Sequence, residues 1–156
     1  MTVITNVETP GELEEIRCLF REYENFLGVD LCFQGFEEEL KTLPGNYAPP
    51  KGRLLLAQDY RDVMGCVALR ELEASTCEMK RLYVRSNYRG KKLGRKLAEK
   101  IIEEARQIGY SRMRLDSLQC LNEALALYKS LGFKEVHSYY HNPLPDVVYM
   151  ELELNE

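Results

Sequence analysis

The sequence predicts one α/β domain built on a mixed central sheet flanked by helices. Two apolar segments, 53–59 and 63–69, are separated by a short polar turn, which is the pattern of a β-hairpin. From residue 78 onwards, strand patterns alternate with helical patterns, as in strand–helix–strand units. A chain of 156 residues without an internal repeat or a linker-like segment fits a single domain, 1–156.

The first fifty residues are mainly helical in pattern. Residues 3–7 alternate weakly and predict a first strand. Thr9 is a good N-cap and Pro10 suits a first helical turn, so a helix is expected from there to about residue 27. Residues 36–43 predict a second, short helix, and 43–52 a turn-rich surface loop. The first helix carries apolar side chains at helical spacing: Leu13, Ile16, Leu19, Phe20 and Tyr23.

The second half of the chain predicts four strands and two helices. Residues 78–84 predict a strand, and 94–108 form the clearest helix, which Gly109 ends. Residues 113–117 predict a further strand, and 123–131 a helix that stops at Gly132. The segments 133–139 and 147–154 predict the last two strands.

The charge of the chain is unevenly distributed. The formal net charge is −4, but nine basic residues and a single acid, Glu99, lie between Lys80 and Lys100. Such a patch on an acidic body favours a local polyanion site, most simply a phosphorylated ligand, although a solvated basic helix face gives the same pattern. The negative total argues against a nucleic-acid partner.

The composition also limits the class of protein. Five scattered cysteines without a CxxC pair, and only two histidines, predict neither a disulfide framework nor a metal site. No signal-like segment and no apolar run of membrane-spanning length occurs. We therefore expect a cytoplasmic protein without a membrane partner, and leave a monomer and a homodimer both open. The cysteines are Cys18, Cys32, Cys66, Cys77 and Cys120.

The loop 87–94 connects a predicted strand directly to the clearest helix. Glycines allow a ligand to approach the backbone, and the unpaired N–H groups at a helix start attract phosphate. Arg89, Lys91, Lys92 and Arg95 add positive charge to this end. The loop matches neither GxxxxGK[ST] nor GxGxxG, which disfavours a nucleotide-hydrolysing P-loop and a dinucleotide fold.

Three motifs in this part of the chain stand in a fixed order. Residues 89–94 read Arg-Gly-Lys-Lys-Leu-Gly, the strand 77–84 precedes them, and Asn122 is followed at 126–133 by Ala-Leu-Tyr-Lys-Ser-Leu-Gly-Phe. They resemble the pyrophosphate loop Q/R-x-x-G-x-G/A, the fourth strand and the N…A..LY…GF element of the GCN5-related N-acetyltransferase (GNAT) family. The resemblance extends from about residue 54 to the C-terminus. Lys92 replaces the first motif glycine, where its side chain either hinders phosphate packing or compensates with its charge.

The resemblance implies a fold in which the fourth and fifth strands splay apart, with acetyl-CoA as co-substrate and no metal. The pantetheine arm would lie between these strands, against backbone groups of Leu82, Tyr83 and Val84. Asn122 would bind the cofactor arm, although an N-cap role explains an asparagine there equally well. The pyrophosphate would be held by the loop and helix start: Arg89, Gly90, Lys91, Lys92, Leu93, Gly94 and Arg95.

The same resemblance assigns two catalytic side chains. Tyr128 matches the family tyrosine that contacts the cofactor and protonates the departing thiolate. Packing between Leu127 and Leu131 is the alternative role for this residue. Glu78 resembles the glutamate that some members use as general base, often through water. In an ideal strand Glu78 shares a face with Lys80, Leu82 and Val84, and a bulge would change that phase. Pairing with Lys80 or Arg112 is the alternative role of Glu78.

The acceptor is expected to be a small-molecule primary amine that attacks the thioester directly. The resemblance places the acceptor site between the first helices and the last strands, where acids and aromatic rings would attract a cationic amine. Two alternatives remain: an acetyltransferase for a protein N-terminus or lysine, and a noncatalytic acyl-CoA-binding module. The expected acceptor residues are Glu22, Tyr23, Glu24, Phe26, Asp30, Phe33, Phe36, Tyr139, Tyr140 and His141.

Overall fold

Seven strands form one mixed sheet in the computed structural model, which describes residues 1–60 and 62–155 and leaves the side chain of Phe33 undescribed. The strand order is β1-β2-β3-β4-β5-β7-β6, and β4 and β5 are parallel whereas the other neighbours are antiparallel. The strands are β1 (Val3–Asn6), β2 (Arg53–Asp59), β3 (Asp62–Glu73), β4 (Thr76–Val84), β5 (Arg112–Leu118), β6 (Lys134–Val136) and β7 (Val147–Glu153).

Helices cover both faces of the sheet, so that each face has its own apolar core. The cluster around Phe20 and Phe36 packs on one face, and the cluster around Leu97 and Ile101 packs on the other. The helices in the described residues are α1 (Pro10–Leu27), α2 (Phe36–Thr42), α3 (Leu93–Ile108) and α4 (Asn122–Ser130). None of them has both the length and the apolar content needed to cross a membrane.

The helix boundaries follow local chemistry. Thr9 and Glu12 form a capping box at the start of α1, and Gly28 ends that helix in the left-handed region at φ 71°. Gly109, at φ 110°, ends α3 in the same way. Both helices therefore occur where the sequence predicts them.

The parallel strands β4 and β5 separate after a short paired stretch. Thr76 to Glu78 pair with Arg112 to Arg114, but β4 continues to Val84 and β5 to Leu118 without pairing to each other. Because no other described strand fills the gap, the facing strand edges are free to bind a ligand. The splayed fourth and fifth strands are thus observed.

A β-bulge at Arg81 changes the phase of β4. Arg81 has a positive φ of 61°, and the register with β3 shifts between the pairs of Cys66 and Ala68. Before the bulge, the odd-numbered Met79 packs into the apolar core around Leu97 and Ile101. After the bulge, the even-numbered Leu82 and Val84 pack against the same core. The prediction that Glu78 and Lys80 share a face with Leu82 and Val84 is therefore wrong, because an extra residue reverses the alternation.

The expected strand 133–139 is shorter than predicted. Only Lys134–Val136 pair with β7, and Tyr139 lies in the following connection. Further along, a turn that contains Pro143, in which the Leu144 N–H donates to the Asn142 side chain, leads towards β7. This connection covers the α1–α2 face next to the gap.

Candidate active site

The mouth of the gap lies at the start of α3. A Cβ placed on Gly94 would lie 3.9 Å from Val84 and 4.0 Å from Leu127, so the end of β4, the start of α3 and the body of α4 meet there. The N-cap of α3, Lys92, makes no side-chain cap bond, which leaves the first N–H groups of the helix open to an anion. Lys91 is exposed beside them.

Lys92, which replaces the first motif glycine, adopts the left-handed conformation. Its φ is 63°, which costs a residue with a side chain roughly 1–2 kcal/mol. The side chain of Lys92 is exposed. A methyl group added to Gly90, at φ 81°, would meet no atom within 4 Å, so space around the loop remains open.

Arg89 of the loop and Arg95 of α3 both have structural partners. Arg89 donates to the Val84 carbonyl at 2.8 Å, and its guanidinium lies 4.4 Å from the centroid of the Phe26 ring. Arg95 donates to Ser130 of α4 and to Glu99. Arg89 therefore ties the loop to α1, and Arg95 ties α3 to α4 beside the gap.

The end of β4 presents its backbone to the gap while its side chains anchor it on both faces. Leu82 and Val84 pack against the core under α3 and α4. Tyr83 points the other way, with its ring 6.2 Å from that of Tyr23 and 6.0 Å from that of Phe26. The structure thus fixes the three residues whose backbone groups are expected to bind pantetheine.

A cleft that is open to solvent lies in the gap. It is bounded by both strands, α4, and the connection that follows α1. Its polar lining residues are Tyr23, Gln34, Lys80, Arg81, Asp116, Ser117, Tyr128 and Asn142.

Tyr128 of α4 lies at the inner wall of this cleft. The residue is 8% exposed, and its ring packs against Phe133 with centroids 5.8 Å apart. The hydroxyl makes no hydrogen bond to another described residue. Every fully buried polar side-chain atom among the described residues has a hydrogen-bond partner, so the Tyr128 hydroxyl is not fully buried and reaches the cleft. Burial raises the pKa of Tyr128, which keeps the phenol protonated at neutral and moderately alkaline pH.

Asn122 is the first residue of α4, and the position before it, Leu121, is the N-cap without a side-chain bond. The alternative N-cap role of Asn122 is therefore wrong. Its side chain is exposed and lines a neighbouring hollow together with Leu118, Cys120 and Leu144. Since Leu118 and Leu144 also line the cleft, this hollow is continuous with its outer end.

Glu78 is 1% exposed, lies in the stretch where β4 still pairs with β5, and lines a second hollow instead of the cleft that holds Tyr128. Arg70 Nε donates to one carboxylate oxygen at 2.9 Å, and the Tyr139 hydroxyl donates to the other at 2.8 Å. Lys80 Nζ lies 3.8 Å away. The prediction that Glu78 pairs with Arg112 is wrong, because Arg112 pairs with Glu153 at 3.2 Å instead.

The acids expected around the acceptor serve other purposes. Glu22 pairs with Arg85 at 2.8 Å, Glu24 accepts from the Leu31 N–H at 2.9 Å, and Asp30 accepts from the Cys32 N–H at 2.8 Å. The predicted acidic pocket is therefore not formed by these three.

The predicted acceptor rings are also dispersed. Phe26 is half exposed beneath Arg89, and Phe36 is buried beneath Arg81. Tyr23 lines the cleft, whereas His141 lines a second hollow beside Glu78. The side chain of Phe33 lies outside the described part of the structure.

Asp116 of β5 is the cleft residue that the sequence argument missed. It accepts hydrogen bonds from the Tyr140 hydroxyl and from Asn142 Nδ2, the latter at 3.3 Å. The available signal was the alternation of β5, in which Met113 and Leu115 face one core, so that Asp116 must face the other side of the sheet. Among the described residues, no group of three or more His, Cys, Asp or Glu side chains could hold a metal ion.

The comparisons with known proteins decide the family. The acetyltransferase (GNAT) family model matches residues 13–133. The chain belongs to the GNAT family. This GNAT protein is 45% identical over 155 residues to an uncharacterized N-acetyltransferase of Schizosaccharomyces pombe, covering 98% of this chain and 95% of the relative. It is therefore an N-acetyltransferase in the broad sense, which sets aside the noncatalytic module.

Solved structures share the fold. A GNAT acetyltransferase from Staphylococcus aureus superposes with a TM-score of 0.82 at 21% identity, over 99% of this chain and 100% of that one. A Salmonella typhimurium structure described as an acetyltransferase with its cofactor acetyl-CoA gives a TM-score of 0.73 at 21% identity, over 100% and 95%. The predicted GNAT-like architecture is thereby confirmed.

Proposed function

We propose that this GNAT protein transfers the acetyl group of acetyl-CoA to the primary amine of a small molecule. The observation that carries the proposal is the separation of β4 and β5 after Glu78 and Arg114, with the Tyr128 hydroxyl free at the inner wall. The backbone groups on the facing edges of the two strands are unpaired there, and the Tyr128 hydroxyl makes no hydrogen bond to another described residue. The bound co-substrate supplies an acetyl carbon activated as a thioester.

The residues present fit acetyl-CoA. The open N–H groups at the start of α3 and the ammonium groups of Lys91 and Lys92 suit the pyrophosphate. The backbone of residues 82–84 would bind pantetheine, and an N–H on this edge would stabilise negative charge developing on the thioester oxygen. Asn122, at the outer end of the cleft, would bind the cofactor arm.

Tyr128 would donate the proton that the leaving sulfur requires. The acceptor nitrogen forms a bond to the acetyl carbon, the carbon–sulfur bond breaks, and the phenol proton moves from the Tyr128 oxygen to the sulfur. The excess proton on the new amide nitrogen then restores the phenol through the cleft. The raised pKa of Tyr128 supports this assignment, because the proton is present before the step.

Glu78 would accept the proton that the acceptor ammonium loses before attack, so that one proton is released to solvent per turnover. Both carboxylate oxygens already accept hydrogen bonds, from Arg70 and Tyr139. A bridging water therefore fits this role better than direct contact with the acceptor.

The α1–α2 face favours a small acceptor over a protein segment. Gln34, which follows α1, donates to the Tyr140 hydroxyl at 3.4 Å, so the connection before β7 bridges the acceptor side of the cleft. This bridge crosses the acceptor side of the cleft, which supports a small acceptor. Five free thiols in the described structure agree with a cytoplasmic location, which we propose on that basis.

A thiol-release assay tests the proposal. The protein is incubated with acetyl-CoA and a panel of small amines, amino acids and basic peptides, and free CoA thiol is measured. We expect release with at least one small acceptor at a higher kcat/KM than with any peptide. Faster turnover of a peptide would overturn the small-molecule assignment, and absence of acetyl-CoA binding by calorimetry at low salt would overturn the co-substrate.

A further inference from the structure

We propose that the acceptor is a zwitterionic amino acid whose carboxylate binds Lys80 and whose ammonium binds Asp116. This inference rests on the proposed function and names its acceptor class. Lys80 of β4 and Asp116 of β5 both line the cleft in the gap. They lie on the α1–α2 face, because their strand neighbours Met79 and Leu115 pack into the opposite core.

Lys80 is a nearly buried cation whose one ion pair among the described residues, with Glu78, is long and shared with Arg70. Its side chain is 9% exposed and donates to Gln34 Oε1 at 3.2 Å. The nearest carboxylate oxygen, on Glu78, is 3.8 Å away and already accepts from Arg70 at 2.9 Å. Burial lowers the pKa of Lys80, since the ammonium has lost water without gaining a full counter-charge.

Asp116 is the matching anion. Its hydrogen-bond donors, Tyr140 and Asn142, are both neutral, and no cationic group of the described residues lies within 4.0 Å of its carboxylate. Lys80 and Asp116 therefore do not form a direct ion pair across the cleft. Two opposite charges held apart at one cleft suit a ligand that carries both charges on one small frame.

The geometry also fits the reaction. Asp116 and Tyr128 line the same cleft, so an ammonium bound by Asp116 lies on the side from which the acceptor must approach. A carboxylate at Lys80 would receive a charge-assisted hydrogen bond from a nearly buried ammonium. Such a bond increases binding by roughly tenfold to a hundredfold over a ligand without the carboxylate.

Matched acceptor pairs provide the test. L-alanine is compared with ethylamine, and L-phenylalanine with 2-phenylethylamine, since each pair differs only in the carboxylate. We expect the parent protein to acetylate at least one amino acid with a kcat/KM about tenfold or more above that of its amine partner. A parent that prefers both amines would overturn the inference, without any variant being needed.

Variants then assign the preference to residues. In Lys80→Met the ratio of kcat/KM for the amino acid to kcat/KM for its amine partner should fall towards one, mainly because the KM of the amino acid rises. Lys80→Arg should restore part of this preference. Asp116→Asn should lower the rates of both partners, because both carry an ammonium. Lys51→Met is the matched control, since Lys51 is an exposed lysine paired with Glu71 at 3.2 Å and away from the cleft. In Lys51→Met the ratio of kcat/KM between amino acid and amine should equal that of the parent.

The outcomes are distinguishable. An unchanged ratio in Lys80→Met, in protein whose acetyl-CoA binding by calorimetry equals that of the parent, would overturn the assignment of Lys80. Calorimetric binding of the preferred amino acid in the presence of CoA should weaken about tenfold or more in the same variant. No thiol release with any acceptor would overturn the proposed function and this inference together.

Discussion

Gly65 of β3 provides a direct perturbation of the bulged end of β4. A methyl group at this position would lie 2.5 Å from the Tyr83 carbonyl oxygen and 3.3 Å from the Val84 Cα. Since real Cβ contacts are essentially never shorter than 3.0 Å, Gly65→Ala must move the end of β4 by roughly half an ångström or more. Gly65 itself does not have a positive φ, so the added contact is the whole perturbation.

The displacement should reduce both stability and cofactor affinity. Overpacking of this kind lowers the free energy of unfolding by about 1–3 kcal/mol, measured by urea denaturation. The acetyl-CoA Kd, measured by calorimetry, should rise by roughly tenfold, because residues 82–84 no longer present their backbone correctly. Gly11→Ala, whose nearest contact is Thr9 Oγ1 at 4.0 Å, is the control and should lose neither property. Parental stability and affinity in Gly65→Ala would refute this account of the β4 edge.

Three further predictions concern the cofactor loop and the proton donor. Replacing both Lys91 and Arg95 by Glu should raise the acetyl-CoA Kd by about tenfold or more at low salt, and the Kd should then depend less on salt concentration. A Kd and a salt dependence equal to those of the parent would contradict the assignment of the loop to the pyrophosphate. Lys92→Gly should keep or slightly raise the free energy of unfolding. Glycine relieves the left-handed strain of about 1–2 kcal/mol, which exceeds the cost of about 0.5–1 kcal/mol for ordering the more flexible glycine backbone on folding. A clearly lower free energy of unfolding in urea denaturation would refute this prediction. Because burial raises the pKa of Tyr128, the kcat profile should show no fall from loss of the phenol proton up to about pH 10; a descending limb that starts near pH 8 and vanishes in Tyr128→Phe would contradict the assignment.

The sequence predicts the elements whose signals are local. The segment Arg53–Asp59 is found as a strand with the expected bounds, and α3 starts one residue before the predicted position. Both elements carry a strong periodic pattern and clear end signals. The strand at 133–139 fails because pairing with β7 ends at Val136, which depends on contacts that the segment itself does not encode.

The site is less accessible to sequence reasoning, because long-range packing decides which groups are available. The bulge at Arg81 exists only through its register with β3, so an ideal alternation misplaces Glu78 relative to Leu82. Glu22, an expected acceptor residue, instead pairs with Arg85, which is 63 positions away. Asp116 is missed because a lone aspartate in a strand pattern has no motif around it.

The turnover of Tyr128→Phe tests the central claim most directly. The substitution keeps the ring against Phe133 and removes a hydroxyl without an internal hydrogen bond, so stability and acetyl-CoA affinity should stay close to those of the parent. With the best acceptor from the panel, kcat and kcat/KM should fall together by roughly ten- to a thousandfold, because the proton is needed mainly in the transition state. Turnover equal to that of the parent would contradict the account, because another group would then protonate the leaving thiolate.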